Sequence, residues 1–169
     1  MKQTQSPWRA VAIKRTAVLI AMALLSGCGE KYAADKEMQA LCAKDGGVKI
    51  YETVTLPKSE FGRGGWGKPM DKYWSGQADP ENRLGPDYRY VERSEFLRRG
   101  DTLRGEVQMI RSTEKVYRRV DGKLLGESVL YGRSGGDHFI NRILGGHPSS
   151  LTCPNPPIAF LTSVFIKGE

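Results

Sequence analysis

The side chains of this chain that could do chemistry fall into three groups. Cys42, Cys153, His138 and His147 offer two thiols and two imidazoles, the donor types of a zinc site. Zinc sites of this kind use close pairs, C-x2–4-C and H-x3–5-H, so that one local turn delivers two ligands together. Neither spacing is present, and no metal ligand is assigned. Asp137, His138, Ser149 and Ser150 offer the residue types of a hydrolytic triad. A triad is defined by geometry rather than by adjacency, and the G-x-S-x-G elbow that would present a serine is missing. Turn-forming Gly, Ser and Asp explain that stretch without chemistry, so no catalytic residue is assigned. Asp71, Asp79, Glu81 and Asp87 supply carboxylates in one segment, the groups with which glycosidases protonate and attack a sugar. Phe61, Trp66, Tyr73 and Trp74 lie among or just before them, and aromatic rings of this kind either fold back to cover an open sheet face or serve as a contact surface for a partner or a sugar. The run GRGGWGK has no Lys-Ser or Lys-Thr pair at phosphate-loop spacing, and no cofactor is expected.

The third cysteine, Cys28, stands in a different setting. Lys2, Arg9, Lys14 and Arg15 form a basic leader with no acidic residue, and an apolar run of nine residues, Ala17 to Leu25, follows. That run is too short to span a bilayer, which takes about 20 apolar residues. It is apolar on every side, so it does not read as a core helix with a solvent face. A basic flank, a short apolar core and small residues make a secretory signal peptide. The ending Leu25-Ser26-Gly27-Cys28 resembles the lipobox of bacterial lipoprotein precursors. The resemblance implies cleavage after Gly27, a diacylglyceryl group on the Cys28 thiol and acylation of the new amino terminus. It also implies the outer membrane, facing the periplasm, because Gly29 replaces the aspartate that often retains such proteins at the inner membrane. One acyl chain binds marginally and two or more hold firmly, at about 0.8 kcal/mol per buried CH₂.

Removing residues 1–27 changes the charge balance. The whole chain carries 26 basic and 19 acidic residues; without the four leader cations, 22 face 19, a net +3. Little is left to support nucleic-acid binding. The surviving positive charge is local, at Arg98, Arg99, Arg104, Arg111, Arg118 and Arg119, and suits anionic headgroups or an acidic partner. With Cys28 given to lipid, Cys42 and Cys153 remain as an even pair in an exported protein, where disulfides persist. They are expected to bond across 111 residues.

The elements that must carry these groups form one α+β domain over residues 34–169, after a short lipidated tether at 28–33. Ala34, Met38, Leu41 and Cys42 share one helical face. Asp35 is placed to cap that helix, and Gly46-Gly47 to stop it after about ten residues. VKIYETVTL alternates as a half-buried strand interrupted at Glu52, DYRYVE reads as a strand, and DTLRGEVQMIRS sets Leu103, Val107 and Met109 on one side. EKVYRRVDGKLLGESVLYGR reads as a hairpin about Asp121-Gly122, the signal of a type I′ turn. PIAFLTSVFIK reads as a final strand, with a helix as the second choice. Together these predict one N-terminal helix packed on an antiparallel β-sheet meander of about four to six strands. The segment 57–86 holds six glycines and four prolines in 30 residues and keeps no period, so it is a long Gly/Pro/aromatic loop. The expectation for function is a non-catalytic envelope lipoprotein that is anchored by lipid and binds another envelope protein. The alternative is a cell-wall glycan-binding protein, a hydrolase or a hydrolase inhibitor.

Overall fold

The computed structural model describes residues 29–62, 69–70, 73, 79–137, 145–155 and 159–169. Helix α1 occupies 29–45. It therefore extends through the stretch expected as a tether, and Asp35 lies inside it rather than at its cap. The added turns are held from outside. Lys31 pairs with Asp137 at 2.9 Å and Asp35 with Arg133 at 2.7 Å, contacts between residues about a hundred positions apart. The expected stop holds. The Gly46 N–H returns to the Cys42 carbonyl, and Gly47 turns the chain with a φ of 112°.

The main sheet is built from β1 (Gly47–Ile50), β3 (Tyr88–Arg98), β4 (Gln108–Arg118), β5 (Leu124–Ser134) and β6 (Ser150–Cys153). Its order is β1-β5-β4-β3, all antiparallel, and β6 pairs with the second half of β5 beyond β1. The meander is thus β3-β4-β5, while β1 and β6 lie end to end on the far side of β5. The expected single strand across 48–56 is two. Tyr51 and Glu52 both donate their N–H to the Leu125 carbonyl, and β2 (Val54–Leu56) leaves to pair in parallel with β7 (Phe165–Lys167). Glu52 interrupts the alternation because its carboxylate is claimed by Arg118 and Lys123.

Because side chains alternate across a strand, the sheet has two faces, and each is covered over one half only. On the first face Met109, Val129 and Tyr131 meet Ala34, Met38 and Cys42 of α1, with Val107, Leu151 and Cys153 at the margin. On the second face Tyr88, Tyr90, Val116 and Leu125 meet Phe61, Met70 and Leu84 and the C-terminal segment. That segment is helix α2 (Phe160–Val164) running into β7, where a single strand was expected. The helix forms because Phe160 and Val164, one turn apart, both bury fully in this core beside Phe165. Burial of each such side chain contributes about 1.5–3 kcal/mol. The two cores sit at opposite ends of the sheet on opposite faces, and among the described residues nothing packs over the other two quadrants.

The β4–β5 hairpin forms where expected, with a different turn. The connection runs from Arg119 to Lys123, and Gly122 alone takes a positive φ, 68°. A type I′ turn needs two positive-φ residues. Here the Asp121 carboxylate instead accepts from the Lys123 N–H and the Arg118 guanidinium, which supports a longer loop. Its pKa is drawn down to about 2, chiefly by Arg118. The segment 102–104, expected to enter a strand, is a short 3-10 turn capped by the Asp101 carboxylate.

Candidate functional site

The half of the first face that α1 leaves uncovered holds the candidate site. β3 presents Arg89, Val91, Arg93 and Glu95 on it, and β4 presents Tyr117, Lys115, Thr113 and Arg111. The register fixes their pairing: Arg89 opposite Tyr117, Val91 opposite Lys115, Arg93 opposite Thr113, Glu95 opposite Arg111. With Glu81 and Ser94 they line a groove of about 640 Å³. Four cations against two carboxylates give the lining a net charge of +2.

The cations differ in how far they are committed. Arg111 is fully engaged: it donates to Tyr131 Oη at 3.1 Å, Thr113 at 3.1 Å, Glu95 at 3.4 Å and Asp45 at 2.9 Å. Asp45 ends α1 and also accepts from Tyr131 Oη at 2.7 Å. Those two hydrogen bonds, Tyr131 first, hold the Asp45 carboxyl below its ordinary value, and the Arg111 guanidinium is raised in turn. Arg111 therefore fastens the end of the helix to the wall of the groove. Lys115 pairs with Glu127 at 3.4 Å. Glu127 lies below the usual carboxylate range, first through the Tyr51 hydroxyl and then through Lys115. Arg89 lies over the Tyr117 ring, 4.7 Å from its centroid, a contact that leaves its N–H groups at the rim free to bond. Arg93 is exposed and has no ion pair or hydrogen bond among the described residues. Two guanidiniums thus keep donor capacity facing the groove, two residues to either side of Val91.

α1 lies beside the groove on the same face and is fixed there by one link after another. Arg133, only 3% exposed, donates to both oxygens of Asp35 and to the Gly135 carbonyl, the Ser149 carbonyl and Ser149 Oγ. Asp137 accepts from Lys31 and from the Ser149 N–H. Burial opposes ionisation of Asp137, and those two partners outweigh it, taking its pKa down to about 2. Cys42 and Cys153 are joined by the expected disulfide, with Cα atoms 6.0 Å apart. The bonded cysteines are not metal ligands, and among the described residues no cluster of three His, Cys, Asp or Glu side chains is suited to a metal.

The other residues singled out by type have these places. Asp137 and Ser149 do come together, as part of the Arg133 clamp rather than around an imidazole. His147 is exposed on the loop before β6, and His138 lies outside the described residues. Phe61, 8% exposed, and the half-buried Tyr73 pack into the second core, so they cover the sheet instead of offering a contact surface. Gly27, Cys28, Trp66, Asp71 and Trp74 lie outside the described residues. Asp79 uses its carboxylate to cap the 3-10 turn Pro80–Asn82, while Glu81 reaches the groove rim. The carboxylates that the fold does bring opposite one another are Glu92 and Glu114, on the second face beside a cavity of about 280 Å³. Each is engaged: Tyr90 Oη donates to Glu114 at 2.7 Å and Arg83 pairs with Glu92 at 3.3 Å. Burial first, and then Glu114, raises the Tyr90 hydroxyl far above its ordinary value.

Of the groove cations, the local charge reading found only Arg111. Arg89, Arg93 and Lys115 are scattered among Glu92, Glu95 and Glu114 along the sequence. A period-2 reading of both strands separates the signs onto two faces, but only the β3–β4 register brings the two cationic files together. No protein-family model, curated protein or solved structure matches this chain.

Proposed function

We propose that this chain is a lipid-anchored lipoprotein of the bacterial envelope that acts by binding another envelope protein, with the open sheet face as its contact surface. The anchor rests on Leu25-Ser26-Gly27-Cys28. The observation that carries the binding role is the groove between β3 and β4, where Arg89 and Arg93 project uncommitted donors from a rigid sheet. A surface left open beside a disulfide-pinned, salt-bridged helix costs little conformational entropy on binding, which favours affinity.

The arrangement also suits presentation. α1 starts at residue 29, directly after the cysteine that would carry lipid, and it is tied to the sheet from Lys31 onward. It starts at the Arg98 end of β3, where Arg98 meets Glu30 and Glu37, and it ends at Arg111 in mid-sheet. The groove continues from there towards Arg89, away from the anchor. A helix of this length spans about 25 Å, so the groove would face into the compartment rather than the bilayer. No described helix is long and apolar enough to cross a membrane.

Two measurements test the proposal. Mass spectrometry of the mature amino terminus should find an acylated Cys28; an unmodified cysteine or a retained leader refutes the anchor. A photo-crosslinking residue at Val91, in intact cells, should give one reproducible protein adduct, and the same probe at the exposed Val120 of the far hairpin should not. Adducts of equal yield at both positions, or none at Val91, refute the contact surface.

A further inference from the structure

The end of the molecule at which α1 begins carries a surface that the groove does not use. Arg98, the last residue of β3, pairs with Glu30 at 3.8 Å and with Glu37 at 2.9 Å. Lys31 pairs with Asp137, and a Cβ on Gly105 would lie 3.0 Å from the Asp137 carbonyl oxygen. The connection 99–107 between β3 and β4 therefore stands beside the first turn of α1. Of the seven large apolar side chains exposed among the described residues, four gather here: Tyr32, Phe96, Leu97 and Leu103. Leu103, on the connection itself, is 68% exposed. Leu97 is stepped over by the β3–β4 register, and such a bulge turns a side chain out of the ladder. The carboxylates of this end are spent inside the fold. Glu30 and Glu37 meet Arg98, Asp137 meets Lys31, Asp101 meets Arg104 and the Leu103 N–H, and Glu106 accepts from the Asp101 N–H. Two cations have no carboxylate partner among the described residues, and each lies over an exposed ring. Lys36 is 4.6 Å from the Tyr32 centroid, and Arg99 is 4.4 Å from that of Phe96.

We infer that this end is a membrane-contact surface. Leu97, Leu103, Phe96 and Tyr32 enter the interface of a phospholipid bilayer, and Lys36 and Arg99 take headgroup phosphates. The inference rests on the lipid-anchored reading and adds to it how the domain sits on the membrane. α1 opens at residue 29, and consecutive Cα atoms are about 3.8 Å apart. Acyl chains carried by Cys28 therefore enter the bilayer beside these side chains. Aromatic rings settle at headgroup level, and a cation stacked on such a ring reaches the phosphates while its stem stays on apolar surface. Cations and carboxylates balance at this end, so net charge does not hold it to the membrane. Apolar insertion does, and the two stacked cations fix the depth. An apolar patch also suits a protein partner. Here such a partner would have to wedge between the domain and the bilayer that the anchor draws against it. A lipid anchor alone leaves a domain free to roll on the surface. This contact stops the rolling and holds the groove, which runs from Arg111 towards Arg89, turned away from the bilayer.

The test uses the full mature lipidated chain in nanodiscs of phosphatidylethanolamine and phosphatidylglycerol. A photo-crosslinking residue at Leu103 should give a phospholipid adduct, identified by the mass of the peptide that contains it. The same residue at Val120, exposed on the hairpin at the other end of β4, should not. Leu97→Glu/Arg99→Glu should lower the adduct yield at Leu103 by about fivefold or more, because two carboxylates replace an apolar group and a cation at the interface. Both side chains are exposed, so an unchanged thermal melt should accompany the variant, and Arg99→Lys should keep the yield. No phospholipid adduct at Leu103, equal yields at Leu103 and Val120, or a yield that the double variant leaves unchanged overturns the inference. A protein adduct at Leu103 in intact cells, in place of lipid, makes the patch a partner surface and overturns it too. An acylated Cys28 and a Val91 adduct, without lipid at Leu103, leave the proposed function standing and sink this inference. An unmodified Cys28 removes the anchor. The same chain mixed with vesicles of that composition should then still give the Leu103 adduct, and its absence overturns the contact separately.

Discussion

Replacing Arg133 by methionine removes a charge that the folded chain has buried almost completely, at 3% exposure. The guanidinium satisfies Asp35 through two nitrogens, at 2.7 and 3.3 Å, and two carbonyls and a hydroxyl through a third. Methionine keeps most of the volume and none of the donors. The Asp35 carboxylate, 23% exposed, then loses its ion pair while α1 still holds it against the sheet. Breaking a buried pair from one side costs about 3–5 kcal/mol. The reverse change, Asp35→Asn, leaves Arg133 its three other acceptors and should cost less, about 1–3 kcal/mol. The pair together should fall short of the sum by at least about 1 kcal/mol, because the second substitution removes a group already left unsatisfied. Urea denaturation at neutral pH, followed by circular dichroism with the disulfide intact, measures all three variants. An Arg133→Met cost within about 0.5 kcal/mol of zero, as for ordinary surface sites, refutes the clamp. Strict additivity of the two substitutions refutes it as well.

Other outcomes follow from the same structure. Cys42→Ala/Cys153→Ala releases a loop closed across 111 residues, and stability should fall by up to about 4.7 kcal/mol. Urea midpoints measure the loss, and helix content at low urea should persist, because Asp35 and Asp45 still hold α1; a loss below about 1 kcal/mol contradicts the reasoning. Asp137 drops from 3.8 unfolded to about 2 folded, so its contribution is present above pH 4 and disappears as pH falls towards 2. At about 1.4 kcal/mol per unit, with partial solvent access to Lys31, that contribution is at most about 2 kcal/mol. Asp137→Asn should flatten the acid limb of a stability-versus-pH curve by that amount, and an unchanged limb counts against the assignment. Gly135 has a φ of 81°, and a Cβ there would lie 2.1 Å from the Glu106 carbonyl oxygen, whereas a Cβ on Gly122 meets nothing. Gly135→Ala should therefore cost at least about 2 kcal/mol by thermal or urea melts. Gly122→Ala should cost about 1 kcal/mol, and equal costs would refute the close approach.

Local pattern made several elements legible. The face Ala34, Met38, Cys42 repeats at helical spacing, so α1 and its burial could be read directly. DYRYVE, DTLRGEVQMIRS and the hairpin about Asp121-Gly122 gave the meander, although 108–112 and 114–118 prove to be one strand, β4. What stayed hidden was set by partners remote in sequence. The first turns of α1 carry no strong local signal and are helical because Lys31 and Asp35 find Asp137 and Arg133. Phe160 to Val164 read as β-branched strand because burial against Tyr88 and Phe165, which favours the helix, is not written in the segment itself. For Phe61 and Tyr73 two uses stood open, covering a sheet or contacting a partner, because sequence shows apolar size but not the half-covered sheet that takes them in.

By itself the sequence determined what is local: a basic and then apolar run ending in Leu25-Ser26-Gly27-Cys28, two further cysteines, a helical apolar face and strands of mixed charge. Those signals depend on neighbours a few residues apart, which residue order specifies. Only the tertiary structure decided which sheet face stays open, and that Arg89, Arg93 and Lys115 stand in one field while Arg111 and Arg133 are used up in holding the helix. Whether a guanidinium is free or spent depends on the carboxylates that β-sheet register and helix docking bring within reach, and those lie up to about a hundred residues away.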